Sequence, residues 1–200
     1  MKVLVIGASG QVGRAAVAAL TAADHEVVAV SRNTTPSVDV TDSASIERLF
    51  EQVGHVDAVA VAHGDVPFKP LAELEREDYI AGFRGKVLSQ LDVVRIGTPF
   101  VRDGGSFTLT TGILAREPIL GGAAASMANG ALESFVLAAA VELPRGIRIN
   151  AVSPSVLAEA VGYHSAFPGF GQVSSAVVGR AFRKSVDGVQ TGKIIALEGE

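Results

Sequence analysis

Apolar positions along the chain fall into two alternating rhythms. Short continuous runs of strand length occur at Lys2–Ile6, Val27–Val30, Val56–Ala62, Ser106–Thr111, Ile147–Val152 and Lys193–Leu197. Between them, apolar residues recur at helical spacing: Val12, Ala15, Ala16, Ala19 and Leu20, then Ile46, Leu49, Phe50 and Val53, then Phe83, Val87, Leu91, Val94 and Ile96. An Ala-rich helix is predicted from Gly122 to about Leu143, ended by Pro144-Arg145-Gly146, and a further one near Ser174–Lys184. Runs apolar throughout, separated by amphipathic helices, predict an α/β domain whose parallel sheet is covered on both faces. Val38-Asp39-Val40 reads as an additional short strand, and Thr41 or Asp42 as the cap of the next helix. Too few residues separate Val30 from Val38 for a crossover helix, which takes about a dozen. Either Val38–Val40 pairs only briefly, or the chain passes tightly over the sheet edge.

The first turn carries the main chemical signal. Gly7, Gly10 and Gly13 follow the first strand and open the first helix, with Ser9, Gln11 and Val12 between them. Glycines at this spacing let backbone N–H groups and the positive helix end approach a pyrophosphate. Where an NAD-selective protein carries an acidic residue after its second strand, this chain has Ser31-Arg32-Asn33. Arg32 suits a bidentate bond to a 2′-phosphate, which points to NADP(H) in preference to NAD(H).

Composition narrows the class. Residues 1–200 suit one domain; hydrophobic residues make up 48% and charged ones 19%, which excludes a disordered chain. No apolar run approaches the roughly 18 residues of a membrane span. Met1-Lys2 leads straight into the first strand, so the expectation is a cytoplasmic protein without a membrane partner. A net charge of −4 shows no basic footprint for nucleic acid, and the absence of cysteine removes disulfides and thiolate metal sites. The four histidines are scattered, so no metal site is expected.

The glycine turn, Val38–Asp42, Gly104–Thr111 and Glu142–Pro154, with its Arg148-Ile149-Asn150-Ala151-Val152-Ser153-Pro154 core, resemble the short-chain dehydrogenase/reductase family. Thr191-Gly192-Lys193 resembles that family's last turn. The resemblance covers almost the whole chain, and it implies a single-domain Rossmann-type doubly wound sheet of about seven parallel strands. It also implies that Asp39 and Val40 contact adenine, that Ala62, His63 and Gly64 line the adenosine pocket, and that Pro154 and Val156 hold the nicotinamide end.

The family's Tyr-x-x-x-Lys is missing. Aligned on Ala131-Leu132-Glu133, the tyrosine position holds Ala125 and the lysine position Asn129, and this helix contains neither Tyr nor Lys. Thr110-Thr111 lies where the family places its substrate-orienting serine, with Thr111 preferred. Lys86 occupies the family's active-site asparagine position, so a Lys–Asn exchange between 86 and 129 keeps one cation and one amide at the site. Tyr163, in the family's substrate loop, is a further proton source, as is water. Two functions follow: an NADPH-dependent reductase of a small carbonyl compound (or oxidase of the alcohol), or a silent NADP(H)-binding sensor or interaction protein. Apolar residues on more than one face of helices 78–100 and 123–143 predict a homodimer or tetramer through them.

Overall fold

The computed structural model describes residues 1–199. Six parallel strands form one sheet: β1 (Lys2–Ile6), β2 (Glu26–Val30), β3 (Val56–Val61), β4 (Val101–Thr110), β5 (Arg148–Pro154) and β6 (Lys193–Leu197). Their order is β2-β1-β3-β4-β5-β6, so the order reverses between β1 and β3. The helices are α1 (Gln11–Thr21), α2 (Ser43–Val53), α3 (Arg76–Gly82), α4 (Ser89–Gly97), α5 (Ala123–Glu142) and α6 (Ser175–Asp187).

Strand side chains alternate between two packed layers. Val3, Val5, Ala58, Ala60 and Val152 meet Ala16 and Leu20 of α1 and Val178 and Phe182 of α6. Leu4, Ile6, Val59, Val61, Phe107 and Ile149 meet Ile46 and Phe50 of α2, Val93 and Val94 of α4, and Leu132 and Val136 of α5. Helices on both faces explain why the central strands are apolar throughout rather than alternating. The doubly wound α/β expectation holds. The extra strand expected at Val38–Val40 is reduced to one bridge between Ser31 and Ser37, which leaves six strands. Thr34 anchors this shortened crossing: its hydroxyl accepts the Ser31 N–H (2.8 Å) and bonds the Pro36 carbonyl (2.7 Å). Asp42, not Thr41, caps α2 through the Ala44 N–H (3.0 Å).

Two local expectations need correction. The helix read as continuous from Asp78 to Phe100 is divided, with a π-helical segment at Phe83–Leu88 between α3 and α4. Strand β4 begins before the expected run at Ser106–Thr111, and residues 103–105 lie inside it as an irregularity, since Val56 pairs with Val101 but Ala58 with Ser106. Helix α5 is, by length and composition, apolar enough to cross a membrane, although no uninterrupted run suggests it. Ala124, Ala125, Ala128, Leu132, Val136 and Ala139 bury one of its faces within this fold.

Helices α1 and α6 pack closely. A Cβ on Gly179 would lie 2.5 Å from the Ala15 carbonyl oxygen and 2.9 Å from the Ala19 Cβ, whereas one on Gly130 of α5 meets nothing within 4 Å. Glycine-to-alanine favours a helix by about 1 kcal/mol at either site. Gly130→Ala is therefore expected to stabilise the protein and Gly179→Ala to destabilise it by about 1–3 kcal/mol, because backbone must move. Urea unfolding of the two variants checks the opposite signs.

Candidate active site

The carboxyl ends of the strands form the site. At the β1–β3 reversal, Gly7 takes φ +83°, and a Cβ there would lie 2.4 Å from the Ala62 carbonyl oxygen. A Cβ on Gly13 would lie 2.1 Å from the Gly7 carbonyl oxygen, so this glycine lets α1 start directly against the turn. Gly10 precedes α1 in extended conformation, with no side chain capping the helix. The first N–H groups of such a helix have no intrahelical partner and face outward.

A cavity of about 610 Å³ opens beside this turn. Gly7, Ser9, Gly10, Ser31, Arg32, Asn33, Asp39, Val40, Ala62, His63 and Gly64 line it, joined by Asp65 and Gly85. Gln11, Val12 and Gly13 continue from the turn into α1, while Thr110, Pro154 and Val156 lie at the ends of β4 and β5, outside this lining. Gln11 donates its amide to the Glu159 carbonyl (3.5 Å), linking the glycine turn to the loop after β5. Arg32 is exposed at the rim. The Asp39 carboxylate accepts the Thr41 hydroxyl (2.7 Å) and N–H (2.9 Å), and these bonds, then the Arg32 charge, hold its pKa below the ordinary value. His63 has its pKa lowered by burial, against a hydrogen bond to the Gly85 backbone and the Asp65 charge, and its Nε2 is buried without a partner.

Lys86 sits in the π-helical segment. Such segments shift a side chain out of the α-helical register and often occur at functional sites. Its stem crosses Gly64 so closely that a Cβ there would be 2.8 Å from Lys86 Cδ. The ammonium donates to the Thr111 carbonyl (3.2 Å). Part of the side chain remains exposed, yet enough protein surrounds the charge for burial to push its pKa down to about 8, with Glu133 opposing.

Glu133 is the residue that sequence reasoning missed. Its Oε1 accepts from the Thr111 hydroxyl (3.0 Å), Arg116 Nη1 (2.8 Å) and the Ser153 hydroxyl (2.9 Å). The signal was available, because Glu133 stands four residues after Asn129 and eight after Ala125, on one face of α5. Thr111 thus gives its hydroxyl proton to Glu133, and its carbonyl, not its hydroxyl, meets Lys86. Thr110 is committed elsewhere, its hydroxyl donating to the Val61 carbonyl (2.6 Å). Gln90, fully buried, was also missed: its amide donates to the His63 (3.0 Å) and Thr110 (2.9 Å) carbonyls and accepts the Thr110 N–H (2.9 Å).

Asn129 is buried near Gly112 with its Oδ1 unpartnered. Ala125 packs with Ile113 and Leu114 in an apolar cluster that Val66, Ile119, Phe167 and Phe170 border. Tyr163 is 62% exposed and lines an outer groove with Phe68 and Leu120, so the structure does not bring it to Lys86.

A family model described as enoyl-(acyl carrier protein) reductase matches residues 7–194. The chain belongs to the short-chain dehydrogenase/reductase family. It is similar to the protein lin1944 of Listeria innocua, with 46% identity, 98% of each chain covered and a TM-score of 0.95. A small-chain dehydrogenase solved in complex with NADPH shares the fold at 24% identity, with 99% of this chain and 96% of that one covered and a TM-score of 0.86. L-xylulose reductase of Bos taurus is 31% identical over 180 residues, 80% of this chain and 73% of its own. Hydroxynaphthalene reductase-like protein Arp2 of Metarhizium brunneum is 30% identical over 130 residues; the match takes in 62% of this chain but only 49% of that relative. The chain thus spans about half the length of that curated relative.

Lys86 binds its proton less tightly in the folded protein than in the unfolded chain. Its contribution to stability therefore rises as pH climbs from about 8 towards the ordinary 10.5, where the unfolded chain holds more protons. Denaturant titrations should show this rise in the parent protein and its loss in Lys86→Met. In Glu133→Gln, the side-chain NMR titration of Lys86 should move to lower pH, because the carboxylate that favours the ammonium is gone.

Proposed function

We propose that this family member is an NADP(H)-dependent oxidoreductase that reduces a small carbonyl compound, with Lys86 in place of the usual phenol as proton donor. The observation that carries the reading is the Lys86 ammonium, held at the Thr111 carbonyl with its stem across Gly64 of the glycine-lined cavity. The residues present suit a nicotinamide dinucleotide. Backbone crowding at Gly7 and Gly13 sets the start of α1 directly against the turn, and His63 Nε2 and Asn129 Oδ1 are buried polar atoms without partners. Gly7, Ser9, Gly10, Gln11, Val12 and Gly13 would hold the pyrophosphate. Ser31, Arg32 and Asn33 would take the 2′-phosphate and ribose. Asp39, Val40, Ala62, His63 and Gly64 would enclose the adenine side, with Thr110, Pro154 and Val156 at the nicotinamide end. In its reduced form the cofactor supplies the hydride.

The chain's own residues handle the proton. With a pKa of about 8, Lys86 is mostly protonated at neutral pH and close enough to that pH to release a proton to a carbonyl oxygen, and solvent then restores it. The Thr111 carbonyl fixes the direction of the ammonium, and Glu133 keeps it charged. Ala125 supports a second reading, a protein that binds NADP(H) without turnover, because no proton donor stands at the usual place.

The parent protein should bind NADPH more tightly than NADH, and Arg32→Ala should remove the difference; equal affinities in the parent overturn the NADP preference. With a carbonyl panel, NADPH oxidation should fall as pH rises through about 8. Lys86→Met should slow it by about 10²- to 10⁴-fold. An unchanged rate removes Lys86 from the mechanism, and tight binding without turnover selects the second reading.

Self-association through the α3–α4 region and α5 belongs to the same reading. Ile80, Phe83, Leu88, Met127, Leu137 and Val141 are exposed apolar residues on these elements. Helix faces of this kind gain from burial against a second copy. Light scattering should give a dimer or tetramer, and Leu137→Asp should shift it towards monomer; a monomeric parent overturns the inference.

A further inference from the structure

The loop after β3 touches both the glycine-lined cavity and Lys86. Ala62, His63, Gly64 and Asp65 line that cavity, and so does Gly85 of the π-helical segment; Lys86, the next residue, does not. The loop and the segment are interlocked. The Asp65 N–H donates to the Gly85 carbonyl (3.3 Å), and a Cβ on Gly85 would lie 2.7 Å from the Asp65 carbonyl oxygen. The Lys86 stem lies over Gly64, with Cδ, Cγ and Cε only 2.8, 2.9 and 3.0 Å from where a Cβ would stand. Further along the same helical region, the Gln90 amide donates to the carbonyls of His63 (3.0 Å) and Thr110 (2.9 Å). The ammonium at the far end of the Lys86 stem donates to the Thr111 carbonyl (3.2 Å).

A lysine side chain is a flexible four-carbon stem, so one hydrogen bond at its tip does not fix its path. Here Gly64 supplies the surface on which the stem rests, and any side chain at that position would occupy the stem's place. His63 carries an unused bond: its Nε2 is buried without a partner, in a residue that lines the cavity. A nucleotide that supplies this partner ties down the loop against which Lys86 rests. We propose that residues 62–65 position the proton donor, so that a nucleotide seated against His63 fixes the loop and, through Gly64, the place of the Lys86 ammonium. His63 and Gly64 are then positioning residues, acting through Lys86 rather than on the substrate. The proposal rests on the reductase reading for its effect on turnover, but the coupling itself is readable without turnover. By linkage, occupancy of the cavity and protonation of Lys86 change each other by the same factor.

Two variants test the coupling. In Gly64→Ala, the atoms nearest the new Cβ all belong to the flexible Lys86 stem, which can move while the backbone stays. His63→Ala removes the contact with the nucleotide. Burial lowers the pKa of His63, so the ring is neutral where Lys86 titrates, at about 8, and its loss leaves the charge around Lys86 unchanged. Both variants keep Glu133 of α5, which acts on the ammonium, and Asp65, Asp39 and Arg32, which act on His63. The side-chain NMR titration of Lys86 is followed with and without saturating 2′,5′-ADP, which carries the adenosine end and no nicotinamide. In the parent the nucleotide should raise the proton affinity of Lys86 about fivefold or more. Each variant should show a smaller rise, the part due to the direct pull of the phosphate charges. An equal rise in the parent and either variant overturns the coupling, as does no rise in the parent. Where a carbonyl compound is reduced, Gly64→Ala should slow turnover about 10- to 100-fold and have no further effect in Lys86→Met. Losses that add in the double variant show that Gly64 does not act through Lys86. If nothing is reduced, the reductase reading fails while the titrations still decide the coupling.

Discussion

The backbone carbonyls at the carboxyl edge of the sheet must find donors, and much of the site is built to provide them. Along the central strands, neighbouring chains satisfy these groups; past the last paired residue they need other partners. Gln90 answers for His63 and Thr110, the Thr110 hydroxyl for Val61, and the Lys86 ammonium for Thr111. Gln90 and Lys86 belong to adjoining stretches of one helical region, the first in α4 and the second in the π-helical segment. The same geometric requirement thus places a rigid amide and a titratable cation side by side. Where the strand order reverses, no side chain closes the edge, and the space falls to Gly7, Gly10 and Gly13.

The electrostatics follow from that placement. A charge drawn towards the interior loses hydration, and the loss favours the neutral amine. Glu133 works against this, but its Oε1 is already shared by Thr111, Arg116 and Ser153. The carboxylate therefore orders three elements at once: the end of β4, the turn after it and the end of β5. Removing it would leave the Arg116 guanidinium without its ion pair as well as weakening the hold on Lys86's proton.

Ala125 has two consequences that belong together. It removes the phenol that the family uses for proton transfer, and it turns the corresponding wall of the site apolar.

The fold was legible in the residues because burial on both sheet faces imposes an apolar run on every central strand, and the helices between keep their own period. The glycine turn was legible for a similar reason: backbone crowding at Gly7 and Gly13 is local, and only glycine relieves it. The replacement of the family's Tyr and Lys by Ala125 and Asn129 could also be read directly. The fate of Val38–Val40 could not, because a single bridge or a short strand depends on how tightly Thr34 folds the preceding turn. The surroundings of Lys86, Thr111 and Tyr163 likewise could not be read before distant segments met. Thr111 and Glu133 are twenty-two residues apart and Lys86 and Thr111 twenty-five. Which of a hydroxyl's or an ammonium's possible partners it takes is a property of that three-dimensional meeting. The outward position of Tyr163, on the rim of the outer groove, is of the same kind.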